Sequence, residues 1–170
     1  RQRQMCIRDS SSSAGVTANS GDVWVSTLPY LHSVESPEGE DTVPNYYSVQ
    51  EIPAAEFQQT FLAAYPEASF AGGPETWITG RVENASGRVE SICIGGVTVE
   101  GTQVRSLFGL RSACFTAEAA ADRVTFRVTG FGHGVGMSQY GANRLAQEGK
   151  SWQEILHWYY TGVTIAPYGG

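Results

Sequence analysis

The chain has 170 residues, 41% of them hydrophobic, enough for one folded domain, or part of a larger protein, with its own core and too many for a disordered segment. The formal charge is -6 and Lys150 is the single lysine, so no basic face can neutralise phosphates and no nucleic-acid partner is expected. No apolar run approaches the ~20 residues needed to span a bilayer.

The opening stretch, RQRQMCIRD, is basic and aperiodic and reads as a translated junction over residues 1–9. Ser10 follows without a preceding strand or helix, so residues 10–165 are expected to be the carboxy-terminal part of a domain, with 166–170 as a tail. Ser10 to Gly21 reads as a Ser/Gly/Asn/Thr loop, DVWVSTLPYLHSV as short extended pieces broken at Pro29, and ESPEGEDTVPNYY as an acidic loop. Pro53 suits a first helical position, and Phe57, Phe61 and Leu62 recur at helical spacing until Pro66. That pattern predicts a surface helix over Pro53 to Ala64.

TWITGRVENASGRVESICIGGVTVEG alternates polar with β-branched residues around NASG and GG, which predicts a three-stranded meander. TQVRSLFGL predicts a short helix ended at Gly109, and SACFTAE and RVTFRVTG predict two more strands. Ser138 is placed to cap a helix from about Gln139 to Glu148. Ser151 to Glu154, SWQE, has capping-box form ahead of ILHWYYTG, with Gly162 as a stop. The expected class is α+β: antiparallel strands with a meander, a surface helix, and two carboxy-terminal helices after a Gly/His loop.

That loop, GFGHGVGMSQYGA from Gly130 to Ala142, places glycines at alternate positions around His133. If extended, it leaves one face bare, so that a ligand can lie on the backbone while Phe131, His133, Val135 and Met137 project from the other face. The same glycines also permit positive φ and close packing on a sheet, with His133 an ordinary core histidine. Neither a P-loop lysine nor a complete G-x-G-x-x-G is present, and GMSQY lacks the closing glycine of a nucleophile elbow. Nucleotide binding and serine hydrolysis are set aside. Gln139, Asn143 and Gln147 recur at four-residue spacing beside Tyr140, and such amides beside an aromatic suit a carbohydrate, whose hydroxyls need paired donors and acceptors.

GHGVGMSQYGA followed by SWQEILHWYYTG closely resembles the carboxy-terminal signature of the stage II sporulation protein D (SpoIID) family, which includes amidase-enhancer proteins of the cell wall. SSSSAGVTANS, VWVSTLPYLHSVES and VRSLFGLRSACF extend the resemblance over nearly all of Ser10 to Thr164. The resemblance implies an extracytoplasmic, peptidoglycan-processing protein: a lytic transglycosylase that cuts between N-acetylmuramic acid and N-acetylglucosamine and leaves 1,6-anhydro ends. Alternatively, it implies a non-catalytic glycan-binding activator of a cell-wall amidase. The family's catalytic glutamate lies in a helix patterned like E-x-x-K-A-Q-A-x-A-x-R, absent here, so the acid is expected upstream and Glu56 and Glu118 read as solvated surface acids.

Catalytic residues are therefore unassigned, and this chain alone is expected to bind rather than cut. The implied substrate-binding residues are His133, Gly134, Gly136, Ser138, Gln139 and Tyr140, together with Ser12 and Ser13 of the serine loop, where Ala14 replaces a family glycine. Some relatives carry zinc, but Cys93, Cys114, His32, His133 and His157 show no ligand-pair spacing, and no cofactor is expected. Three cysteines, Cys6 included, allow at most one disulfide, and Cys93 and Cys114 read as small buried hydrophobes. A Cys114 and His133 nucleophile pair lacks a local signature.

Overall fold

The computed structural model describes residues 9–167, so the expected junction over residues 1–9, Asp9 apart, and most of the expected tail lie outside the described residues. The chain divides into two compact units, Tyr47–Gly130 and the segments on either side of it. Both mix helix with strand, as an α+β class requires.

Residues 47–130 contain two three-stranded antiparallel sheets. Strands β3 (Ile78–Glu83), β4 (Val89–Ile94) and β5 (Val97–Glu100) form the meander in sequence order, turning at the NASG and GG positions. The other sheet has the order β2-β7-β6, from β2 (Tyr47–Pro53), β6 (Phe115–Ala119) and β7 (Arg123–Thr129). β2 is the strand the pattern does not announce. Its burial alternates, but the inward positions Ser48 and Gln50 are polar and the outward Tyr47 and Val49 apolar, so residue type hides the alternation, and its pairing with β7 runs from Tyr47↔Thr129 to Pro53↔Arg123.

Helix α1 covers Ala54–Ala64, with Pro53 at its N-cap as the last residue of β2, one position ahead of the expected first turn. It is only half a surface helix. Phe57 and Phe61 are fully buried, and the Phe57 ring stacks on Phe108 at 4.7 Å between centroids, with Trp77 at 6.5 Å on a nearly parallel plane. Helix α2 (Gly101–Phe108) delivers Phe108 and Val104 to the same core and closes at Gly109 as expected.

The other unit is built around an irregular seam. β1 (Asp9–Ser10) pairs in parallel with β8 (Met137–Ser138), and the chain after it forms bridges Ser12↔Phe131, Val16↔Glu35 and Ala18↔Val135. What reads as a serine-rich loop is thus a buried connector between two neighbours. Ser10, Ser12, Ser13, Thr17 and Ser20 are all buried, because small hydroxyl side chains fit where three backbone segments approach closely. Helices α3 (Gln139–Gln147) and α4 (Trp152–Tyr159) follow, capped by Ser138 and by the Ser151 and Glu154 box, and they pack through Leu145, Ile155 and Tyr159.

Phe57 stands where helix, sheet and aromatic neighbours meet. Phe57→Ala is expected to cost about 3–5 kcal/mol through lost burial and an unfilled cavity. Denaturant unfolding followed by tryptophan fluorescence checks this; a loss under about 1 kcal/mol would place α1 on the surface after all.

Candidate functional site

The glycine run is not extended. Gly130, Gly132, Gly134 and Gly136 all have positive φ, of 76°, 133°, 76° and 74°, so the segment coils instead of presenting a bare strand face. This corrects the bare-backbone expectation. The coil packs on the serine segment: Gly134 N–H donates to Ser10 Oγ at 2.7 Å, Ala18 N–H donates to the Gly134 carbonyl at 2.8 Å, and a Cβ on Gly132 would lie 2.7 Å from Ser10 Cβ. Gly134 and Gly136 are buried, placed for packing and not for direct contact with a ligand.

The hydroxyls expected to meet substrate are turned inward. Glu38, one carboxylate among several in the acidic loop, accepts from Ser13 N–H at 2.7 Å and Ser13 Oγ–H at 2.5 Å on one oxygen, and from Ser138 Oγ–H at 2.8 Å on the other. Ser138 has no spare capacity. While its proton goes to Glu38, its oxygen accepts from Gly141 N–H at 3.2 Å as the α3 N-cap, and the carboxylate lies where the positive end of that helix favours an anion. Ser13 and Ser138 thus direct their hydroxyls to the Glu38 carboxylate, and Ser12 is buried beside them, 2% exposed. No sequence signal separates Glu38 from its acidic neighbours, since its role depends on two serines 25 and 100 residues distant.

A second polar contact lies against the same helix. Tyr159 and Ser36 hydroxyls meet at 2.7 Å, and an added Cβ at Gly141 would overlap both, which explains the glycine in a helical turn. Burial pushes the Tyr159 hydroxyl up to about 12 against the lowering effect of its hydrogen bond with Ser36, and the Glu38 charge adds to the rise.

Beyond this scaffold lie a ring pair, in which Trp24 packs on the Ala18, Leu31 and Val135 cluster and His133 Nε2 is buried, and an exposed helix face. His133 is half-buried, its Nδ1 accepts from Val135 N–H at 3.1 Å so that the neutral ring carries its proton on Nε2, and its plane tilts 49° against Trp24 at 5.5 Å. Trp24 was missed in the sequence because it sits in an aperiodic stretch. Gln139, Asn143 and Gln147 are all exposed, so the amide stripe exists, and Tyr140 is half-buried beside it.

The cysteine alternative fails on chemistry. Cys114 is buried, and desolvation pushes its thiol up despite Arg88 nearby, the reverse of what a nucleophile needs. Among the described residues no three of His, Cys, Asp and Glu gather as metal ligands, and His32 and His157 are exposed. No helix of the described residues is long and apolar enough to cross a membrane.

No family model matches the chain. It is 42% identical over 156 residues, 92% of its length, to stage II sporulation protein D of Bacillus subtilis (strain 168), and 38% identical over the same share to that of Bacillus amyloliquefaciens. The chain is a homologue of stage II sporulation protein D. The matched span is 43% of the length of each of those relatives. The amidase enhancer of Bacillus subtilis (strain 168) aligns at 24% identity over 94% of the chain and 29% of that protein. The resemblance drawn from GHGVGMSQYGA and SWQEILHWYYTG therefore reflects homology across nearly the whole of this chain.

Two outcomes follow from the buried polar contacts. Glu38→Ala strands three donors and is expected to lower stability by about 2–4 kcal/mol, while Glu38→Gln, keeping one acceptor oxygen, loses roughly half as much; equal and negligible losses would remove the carboxylate from the scaffold. For Tyr159, the unfolded hydroxyl titrates near its ordinary value of 10 and the folded one near 12, so the folded state holds the proton longer. Stability present below pH 10 is then lost as the pH rises toward 12. Unfolding free energies across that window should fall more steeply for the native chain than for Tyr159→Phe, and parallel curves would contradict the burial.

Proposed function

We propose that this chain is the peptidoglycan-binding part of a lytic transglycosylase of the sporulation protein D type, acting in the cell envelope on glycan strands. The observation that carries this reading is the exposed amide stripe of Gln139, Asn143 and Gln147 on α3, which follows the His133 loop in a chain homologous to stage II sporulation protein D. An indole face takes the C–H side of a pyranose, and the amides of Gln139 and Asn143 pair with hydroxyl and acetamido groups.

Cleavage to a 1,6-anhydro end requires a carboxylic acid that protonates the glycosidic oxygen while the sugar's own C6 hydroxyl attacks the anomeric carbon. Such an acid works from desolvated surroundings. Glu56 and Glu118 are exposed, and Glu38 is committed to three donors, so we assign the acid to none of them. In this reading the proton donor belongs to a part of the parent protein other than these residues. A second reading, a glycan-holding activator that works with a cell-wall amidase, is favoured by the alignment to an amidase enhancer, and it needs no acid at all.

Mass spectrometry of peptide-stripped glycan strands incubated with this chain separates these cases. Strand binding without new 1,6-anhydro-muramic ends is the expected result. Anhydro ends produced by the chain alone would place the acid within these residues and make Glu38, Glu56 and Glu118 the first to replace. Absence of strand binding would remove the glycan reading in both forms.

A further inference from the structure

Helix α4 turns Ile155 and Tyr159 into the core and leaves Trp152, Gln153 and His157 on its outer side. These three, with Val163, Ile165 and Pro167 of the segment that follows, line a cleft of about 590 Å³, within the ~300–1,000 Å³ of small-ligand sites. Trp152 is 58% exposed, whereas Trp77 in the other unit is 7% exposed and serves its core. Keeping an indole so far in water forgoes burial, which its position at the start of the helix does not require.

The lining is specific in kind. Gln153 and His157, four residues apart, share a helix face beside the indole and supply an amide and an imidazole. The segment that follows contributes Val163, Ile165, Ala166 and Pro167 as apolar lining with the Thr164 hydroxyl among them, and among the described residues no carboxylate, lysine or arginine lines the cleft. An aromatic plane, an amide, an imidazole and a largely apolar wall fit an uncharged pyranose bearing an acetamido group: ring C–H bonds on the indole, carbonyl and hydroxyls on Gln153 and His157, methyl against the wall.

From this we infer that the α4 cleft is a second saccharide subsite, taking a neutral N-acetylhexosamine unit of a glycan strand. The assignment rests on the glycan reading of the loop site, and it adds to that site a binding position 20 or so residues further along the chain. Such a position would let the chain grip a strand at two points, so that affinity grows with strand length.

The test is ¹H–¹⁵N NMR of the tryptophan indoles during titration with an N-acetylglucosamine tetramer, each signal assigned by a Trp→Phe variant. The Trp152 signal is expected to move, and to move still in His133→Ala, while buried Trp77 stays fixed; by calorimetry Trp152→Ala is expected to weaken tetramer binding about threefold to tenfold. Movement of Trp24 with Trp152 unmoved overturns the subsite and leaves the glycan reading standing. Movement of neither overturns both, and movement of Trp152 alone supports the cleft against the loop. An equal shift at Trp158, which is 39% exposed outside the cleft, would mean indiscriminate stacking on indoles and would overturn the subsite.

Discussion

The carboxylate of Glu38 joins three stretches that are remote in sequence: the serine segment through Ser13, the acidic loop that carries it, and the start of α3 through Ser138. Each hydrogen bond to a charged acceptor is stronger than a neutral one, and the helix end adds a favourable field. Because Ser138 closes β8 and begins α3, fixing its hydroxyl fixes the exit of the glycine coil, and with it the direction in which His133 leaves the backbone. The seam from Ser10 to Ala18 has almost no apolar side chains to hold it. Its register depends on this contact and on the backbone bridges beside it.

The coil's role changes accordingly. Four glycines at positive φ make a compact turn sequence against small serines, and at Gly132 a Cβ would push into Ser10. The polar groups that read most directly as ligand contacts, the hydroxyls of Ser13 and Ser138, are consumed inside. Aromatic rings and exposed amides remain for recognition, a division in which the buried polar network gives rigidity and the surface gives contact.

The unit over residues 47–130 obeys a simpler rule. Phe57, Phe61, Phe108, Phe126 and Trp77 fill one aromatic core between two small sheets and two helices. Its strands and helices were legible because apolar periodicity there is set by that core: the meander, the α2 stop at Gly109 and the β6 and β7 strands all fall where alternation and turn residues place them. β2 escaped because polar residues, Ser48 and Gln50, occupy two of its inward positions while Tyr47 and Val49 face out, so apolar periodicity does not mark its alternation.

The sequence by itself determined the class, the meander, the Ser138 and Ser151 caps and the family resemblance, because each is written in contacts a few residues apart or in an unbroken motif. It did not determine the left-handed coil of the glycines, the burial of the serines, the linkage of Glu38 to residues 25 and 100 positions away, or the meeting of Trp24 with His133. Those belong to the tertiary structure, since a glycine's φ and a carboxylate's partner are chosen by whatever segments the fold brings alongside, and local pattern carries no record of that choice.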